Sequence, residues 1–176
     1  QRQLQRLVEL AEDKGLYLDL TGLGCYHKAD VPAWYDALNE EERWNTQATF
    51  WRAIAKACRN RPGVFVYDLM NEPVIPTPDG KGTNWLGPPF AGKHFVQWIT
   101  REGKGRPRTS MARAWIQKLT AAIREHVQKH LITVGLVDWS LDRPGLSSGF
   151  VPEEIVNDVH FISVHIYPKK GAIEEA

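Results

Sequence analysis

Apolar and polar residues run along this chain in blocks of two different periods. In residues 1–14, Leu4, Leu7, Val8 and Ala11 fall at i, i+3, i+4 and i+7, which predicts an amphipathic helix that Gly15 can stop. Residues 16–21 (LYLDLT) predict a strand, and 22–30 (GLGCYHKAD) a glycine-rich polar loop. Trp34 and Tyr35 belong to a short helical piece. A long helix follows over about 39–60, with Trp44, Ala48, Trp51, Ala55 and Cys58 on one stripe. Glu40, Glu41 and Glu42 suit the positive end of its dipole.

Residues 64–73 (VFVYDLMNEP) begin as a buried strand and end in the polar pair Asn71 and Glu72. Pro73 cannot donate to a ladder, so pairing is expected to stop there. A long inserted loop occupies 74–109, with five prolines and the aromatics Trp85, Phe90, Phe95 and Trp98. Inside it, 95–100 (FVQWIT) fits a short helix or a strand. Ser110 is placed to cap a helix over about 111–129, whose core face is Met111, Trp115, Leu119, Ala122 and Ile123. Residues 131–137 (LITVGLV) form the next apolar strand, followed by Asp138 and Trp139. A short helix at 152–157 precedes a strand at 159–166 (VHFISVHI), then Tyr167 and Pro168.

Helices alternating with near-continuous apolar strands imply an α/β fold with a parallel sheet in one domain over 1–176. The polar and aromatic residues gather just after the strands, at 21–27, 71–72, 138–139 and 165–167. In parallel α/β folds that end of the sheet carries the site. A carboxylic acid at the mouth of a buried strand loses hydration, which favours its protonated form and suits a general acid. This marks Glu72. Asn71 offers a donor and an acceptor, suited to a sugar hydroxyl.

Composition narrows the function by exclusion. The chain has 176 residues, 43% hydrophobic and 24% charged, with a formal net charge of +1. Nothing in that balance points to nucleic acid or an acidic membrane surface, and no apolar run reaches the ~20 residues of a bilayer span. The two cysteines and six histidines show no metal-ligand spacing, so neither a metal nor a cofactor is expected. Cys25 follows a strand, whereas Cys58 closes a helix that returns to the opposite end of the sheet. They are therefore expected to be unbonded.

YDLMNEP followed by a strand ending in HIYP resembles glycoside hydrolase family 5, the (β/α)8 glycosidases that include endoglucanases and mannanases. The resemblance implies a partial (β/α)8 barrel, roughly its third to sixth strands. It implies a retaining β-glycoside hydrolase acting on β-linked polysaccharide or oligosaccharide, with a carbohydrate-binding remnant of the same fold as the alternative. Glu72 would be the acid/base, Asn71 would bind the sugar 2-hydroxyl, and His165 and Tyr167 would belong to the catalytic pocket. Many members of the family are secreted, so a secreted or periplasmic setting would follow.

The chain departs from the family at Thr21, where many members carry a histidine; His27 is the residue to take over part of that role. The family nucleophile, a glutamate ending the seventh strand, is expected to lie outside this chain, which leaves it inactive alone. Glu174 and Glu175 are not that residue. Asp138 or Asp19 facing Glu72 would be the inverting fallback. Tyr26, Trp34, Trp85, Trp98 and Trp139 are candidate platforms for a sugar ring, Trp139 foremost, while Trp44, Trp51 and Trp115 are expected in the core. Asp19 and Asp68, inside strands, need partners and are expected to support the site or a strand–helix contact.

Overall fold

The computed structural model describes residues 2–82, 84–141 and 147–167; Pro168, Glu174 and Glu175 lie outside them. In chain order the elements are α1 (Arg2–Asp13), β1 (Leu18–Thr21), α2 (Ala33–Asp36), α3 (Glu40–Cys58), β2 (Val64–Asn71), β3 (Pro73–Val74), β4 (Gln97–Trp98), α4 (Arg108–Arg124), β5 (Leu131–Val137), α5 (Pro152–Ile155) and β6 (Ser163–His165). β1, β2, β5 and β6 pair in that order as one parallel sheet.

The sheet has an apolar face and a polar one. Leu20, Tyr67, Leu69, Ile132, Val134, Leu136 and Val164 join the core formed with α3 and α4. Trp51 and Trp115 are fully buried there, as the helical stripes predict. Trp44 is only half-buried and donates to the Ile99 carbonyl at 2.7 Å. Full burial of each such side chain contributes roughly 1.5–3 kcal/mol, which makes this face the main source of cohesion. In register on the other face stand Thr21, Asp68 and Thr133, then Asn71, Gly135 and Ser163, then Val137 and His165.

A bulge in β2 sets that second list. Asp68 pairs with Thr133 and Asn71 with Gly135, so three steps along β2 match two along β5. The extra residue turns Asn71 to the face that Asp68 occupies, against the strict alternation of a regular strand. The interrupted ladder is repaired by a side chain: Gly135 N–H donates to Asp68 Oδ1 at 2.8 Å.

Several boundaries differ from the sequence reading. Pro73 does not stop pairing. It opens β3, which lies parallel to β4: Gln97 N–H donates to the Glu72 carbonyl and Ile99 N–H to that of Val74, both at 3.1 Å. A proline loses nothing in that position. The connection over 74–109 is therefore partly sheet, and α4 begins at Arg108. Pro107 precedes it, with a fixed φ suited to a helix start, and Ser110 lies within the first turn. The same helix ends at Arg124, whose guanidinium donates to the carbonyls of Val127 and His130. β1 begins only at Leu18, because β2 starts at Val64 and leaves residues 16–17 without a partner. β6 is likewise shorter than 159–166. Asn39 caps α3 through a reciprocal box with Glu42, both bonds at 3.0 Å.

Candidate active site

Glu72 stands one residue beyond β2, with a backbone held from both sides. Its N–H donates to the Gly135 carbonyl at 2.8 Å, and its own carbonyl accepts from Gln97. Its φ is +49°, in the left-handed region that non-glycine residues rarely adopt. Such a conformation costs on the order of 1–3 kcal/mol and persists where surrounding structure over-determines it, commonly at functional sites. The carboxyl is turned inward: Glu72 is only 6% exposed.

His165, at the end of β6, meets that carboxyl. Its Nδ1 lies 3.0 Å from Glu72 Oε1, and the Tyr167 hydroxyl donates to the same oxygen at 3.5 Å. Residues 165 and 167 are two apart on an extended chain, so both side chains reach one face. Tyr167 is 77% exposed, but burial and then the nearby Glu72 push its hydroxyl pKa upward. Oε2 of Glu72 has no hydrogen-bond partner among the described residues, which leaves it for a ligand. Asn71 is half-buried, and its Nδ2 donates to the Phe95 carbonyl at 3.0 Å, which fixes the amide with its oxygen uncommitted.

Glu72, His165 and Tyr167, but not Asn71, border a cleft of about 300 Å³ that includes Trp139, Asp138, Phe90 and Phe95. Trp139 thus lines the same cleft as Glu72. Phe90 and Phe95 were missed as cleft residues. Their only signal was the unusual aromatic content of the 74–109 connection.

The other platform candidates are placed differently. Tyr26, His27 and Trp34 line a neighbouring cleft of about 380 Å³ with Tyr35 and Arg43, not the one that holds Glu72. The Tyr26 ring lies 5.7 Å from that of Phe95, which lines the Glu72 cleft. His27 pairs with Asp30 at 3.3 Å on the surface and does not fill the place that Thr21 leaves. Trp85 is no platform: it is 2% exposed, donates to the Asp36 carbonyl, and carries the guanidinium groups of Arg43 and Arg101 over its ring. Trp98 borders a third hollow with His94.

Beneath the cleft, Asp68 is buried on the inner face. Burial pushes its carboxyl pKa up to about 6; the Asp19 charge adds to the rise, and bonds from Gly135 and Thr21 oppose it. Burial also raises Asp19, against the pull of His165. Asp68 is thus paired within the sheet, whereas Asp19 is exposed. Cys25 and Cys58 are both free. Among the described residues no group of His, Cys, Asp and Glu could hold a metal ion.

Residues 1–174 match the family model described as Cellulase (glycosyl hydrolase family 5). No curated protein matches the chain. Among solved structures, the chain is similar to a GH5_18 variant from Streptomyces cattleya in complex with Manb1-4GlcNAc. The identity is 18% and the TM-score 0.66, over 99% of this chain and 39% of that one. GH5_18 from the same organism in complex with GlcNAc gives 19% and 0.63, over 94% and 36%. Native xylanase 10B from Thermotoga maritima gives 15% and 0.56, over 94% and 45%. The chain thus spans less than half the length of these relatives, and at such identities the likeness concerns the fold. That fold is α/β, with a parallel sheet and helices arranged as part of a (β/α)8 barrel.

Proposed function

The chain belongs to glycosyl hydrolase family 5, and from that premise we propose that it carries the acid/base half of a retaining β-glycoside hydrolase. The substrate is a β-linked polysaccharide or oligosaccharide. The observation that supports this most directly is the Glu72 carboxyl itself, buried at the foot of an aromatic cleft with Oε1 held by His165 and Tyr167. Oε2 is the oxygen left to act. In the first step it gives its proton to the glycosidic oxygen as that bond breaks; in the second it takes a proton from the attacking water. Asn71, fixed by Phe95, presents its amide oxygen to the 2-hydroxyl, and Trp139 offers a face to a sugar ring.

Retention needs a second carboxyl ~5–5.5 Å from the first. Among the described residues the only other carboxylate lining this cleft is Asp138. We therefore assign the nucleophile to none of them and expect this chain alone to bind sugar without hydrolysing it.

The test has two parts. Titration of the chain with a β-linked oligosaccharide should perturb the Trp139 fluorescence and the His165 ring signals. In the whole protein that carries the chain, Glu72→Ala should lose turnover of natural substrate, whereas on an aryl β-glycoside whose leaving group needs no proton azide should accelerate turnover and give a β-glycosyl azide. An inverted product would overturn the retaining assignment and direct attention to Asp138. Binding with no turnover in the whole protein would favour the binding-remnant alternative.

A further inference from the structure

The cleft beside the one that holds Glu72 contains a cation with no anion to meet. Arg43, near the start of α3, lines that cleft and is only 4% exposed. Its Nη1 donates to the Tyr35 carbonyl at 3.0 Å. The guanidinium lies over the rings of Tyr35 and Trp85, 3.8 Å and 4.3 Å from their centroids. Nε is buried without a partner, and Nη2 makes no hydrogen bond among the described residues. These two nitrogens form one edge of the guanidinium fork. It is the edge by which Arg52 holds both oxygens of Glu125, at 2.6 Å and 2.7 Å.

An arginine keeps its proton in proteins, and a buried charge without a partner is costly. No carboxylate among the described residues pairs with Arg43. Asp36, which acts on it electrostatically, is held by Lys28 at 2.6 Å. Asp30, which also lines the cleft, stands on the surface with His27 at 3.3 Å. Arg101 lies over the Trp85 ring as well and adds a second positive charge nearby.

The rest of the cleft suits a sugar ring. It encloses about 380 Å³, and Trp34 and Tyr26, which line it, are 60% and 41% exposed. The Tyr26 and Phe95 rings bring it next to the Glu72 cleft. One guanidinium edge balances the single charge of a carboxylate, not the nearly double charge of a phosphate monoester.

We propose that this cleft is an acidic-sugar subsite, in which Arg43 holds the carboxylate of a uronic acid while Trp34 and Tyr26 flank its ring. The inference rests on the glycosidase reading of the neighbouring cleft and names its substrate class, a β-linked oligosaccharide that carries a uronic acid. A purely structural role competes, in which Arg43 only fills the space between Tyr35 and Trp85.

Calorimetric titration of this chain with cellobiouronic acid, a β-linked glucuronic acid–glucose pair, and with neutral cellobiose separates the two roles. Wild type should prefer the acid by about tenfold or more. Arg43→Lys keeps the charge but loses the fork, and should retain only a small part of that preference. Arg43→Gln should retain none, with the backbone amide spectrum otherwise preserved. Cys25 gives a second readout that needs no variant, because its thiol is free and lines the same cleft, whereas Cys58 is buried. Cellobiouronic acid should slow alkylation of Cys25 by iodoacetamide, and cellobiose at the same concentration should not. Equal affinity for the two sugars would overturn the proposal, as would alkylation that the acid does not slow. Protection by acetate as strong as that by the acid would also overturn it, since the cleft would then read an anion and not a sugar. The readouts are binding and alkylation, not turnover, so a failure here is distinct from a failure of the glycosidase assignment, which Glu72→Ala decides.

Discussion

The two faces of the parallel sheet are made from alternate residues of the same strands, and they are held by different forces. The outer face (Tyr67, Leu69, Ile132, Val134, Leu136) is buried against α3 and α4 and depends on apolar area. The inner face (Asp19, Asp68, Gly135, His165, with Glu72 at its rim) depends on directed contacts between few polar atoms. Area is forgiving of detail, because a neighbouring side chain can shift and keep most of it. A polar chain is not, because one displaced ring or one lost charge changes every group along it. The outer face should therefore govern stability and the inner face chemistry.

The largest effect expected from this contrast is on chemistry alone. Glu72→Gln in the whole protein should lower turnover by ~10²–10⁴-fold while shifting the unfolding midpoint little, since the amide preserves shape. Parallel kinetics and urea denaturation check it, and a large loss of stability would break the separation of faces.

Trp115→Ala should do the reverse. It removes a fully buried ring that donates to Gln47 at 2.8 Å, with an expected cost of about 3–5 kcal/mol. The check is denaturant unfolding of the chain, with the His165 ring signals unchanged wherever the variant is folded.

The inner face does carry one stability signature, and it is a penalty. Asp68 holds its proton up to about pH 6 when folded, against a reference of 3.8. Below about 4 both states are protonated and nothing is lost. As pH rises toward 6 the unfolded chain sheds this proton first, so stability falls by on the order of 3 kcal/mol and levels off above the folded value. Subtracting the pH–stability curve of Asp68→Asn from that of wild type isolates this limb. A difference curve that rises with pH would contradict the burial argument.

The smallest effect touches neither face. Asn39→Ala removes the α3 capping box and should cost about 1 kcal/mol, with no change at the site, as read by thermal melting.

Much of the outer face was legible beforehand, because helical stripes and apolar runs are local patterns. Met111, Trp115, Leu119, Ala122 and Ile123 were named from spacing alone, and all are buried. The bounds of β5 were read to the residue. For the site, Glu72, His165 and Tyr167 were named because each lies at or just past the end of a strand, and parallel strands deliver their ends to one rim. Trp85 and Trp139 both follow strands in loops, and only packing decides which meets solvent. The 74–109 connection buried Trp85 under two arginines and brought Phe90 and Phe95 to the cleft.

Spacing and residue type thus determined the α/β alternation, the core stripes and the place of Glu72 just past a strand, since each follows from interactions within a few positions of one another. The tertiary structure alone decided three things. It placed the bulge that turns Asn71 to the face of Asp68, it set Gly135 under the His165 ring, and it split the aromatics between two clefts. Each depends on register between residues up to about a hundred positions apart. A side chain's face depends on its partner strand as well as its own, so no local pattern could contain that information.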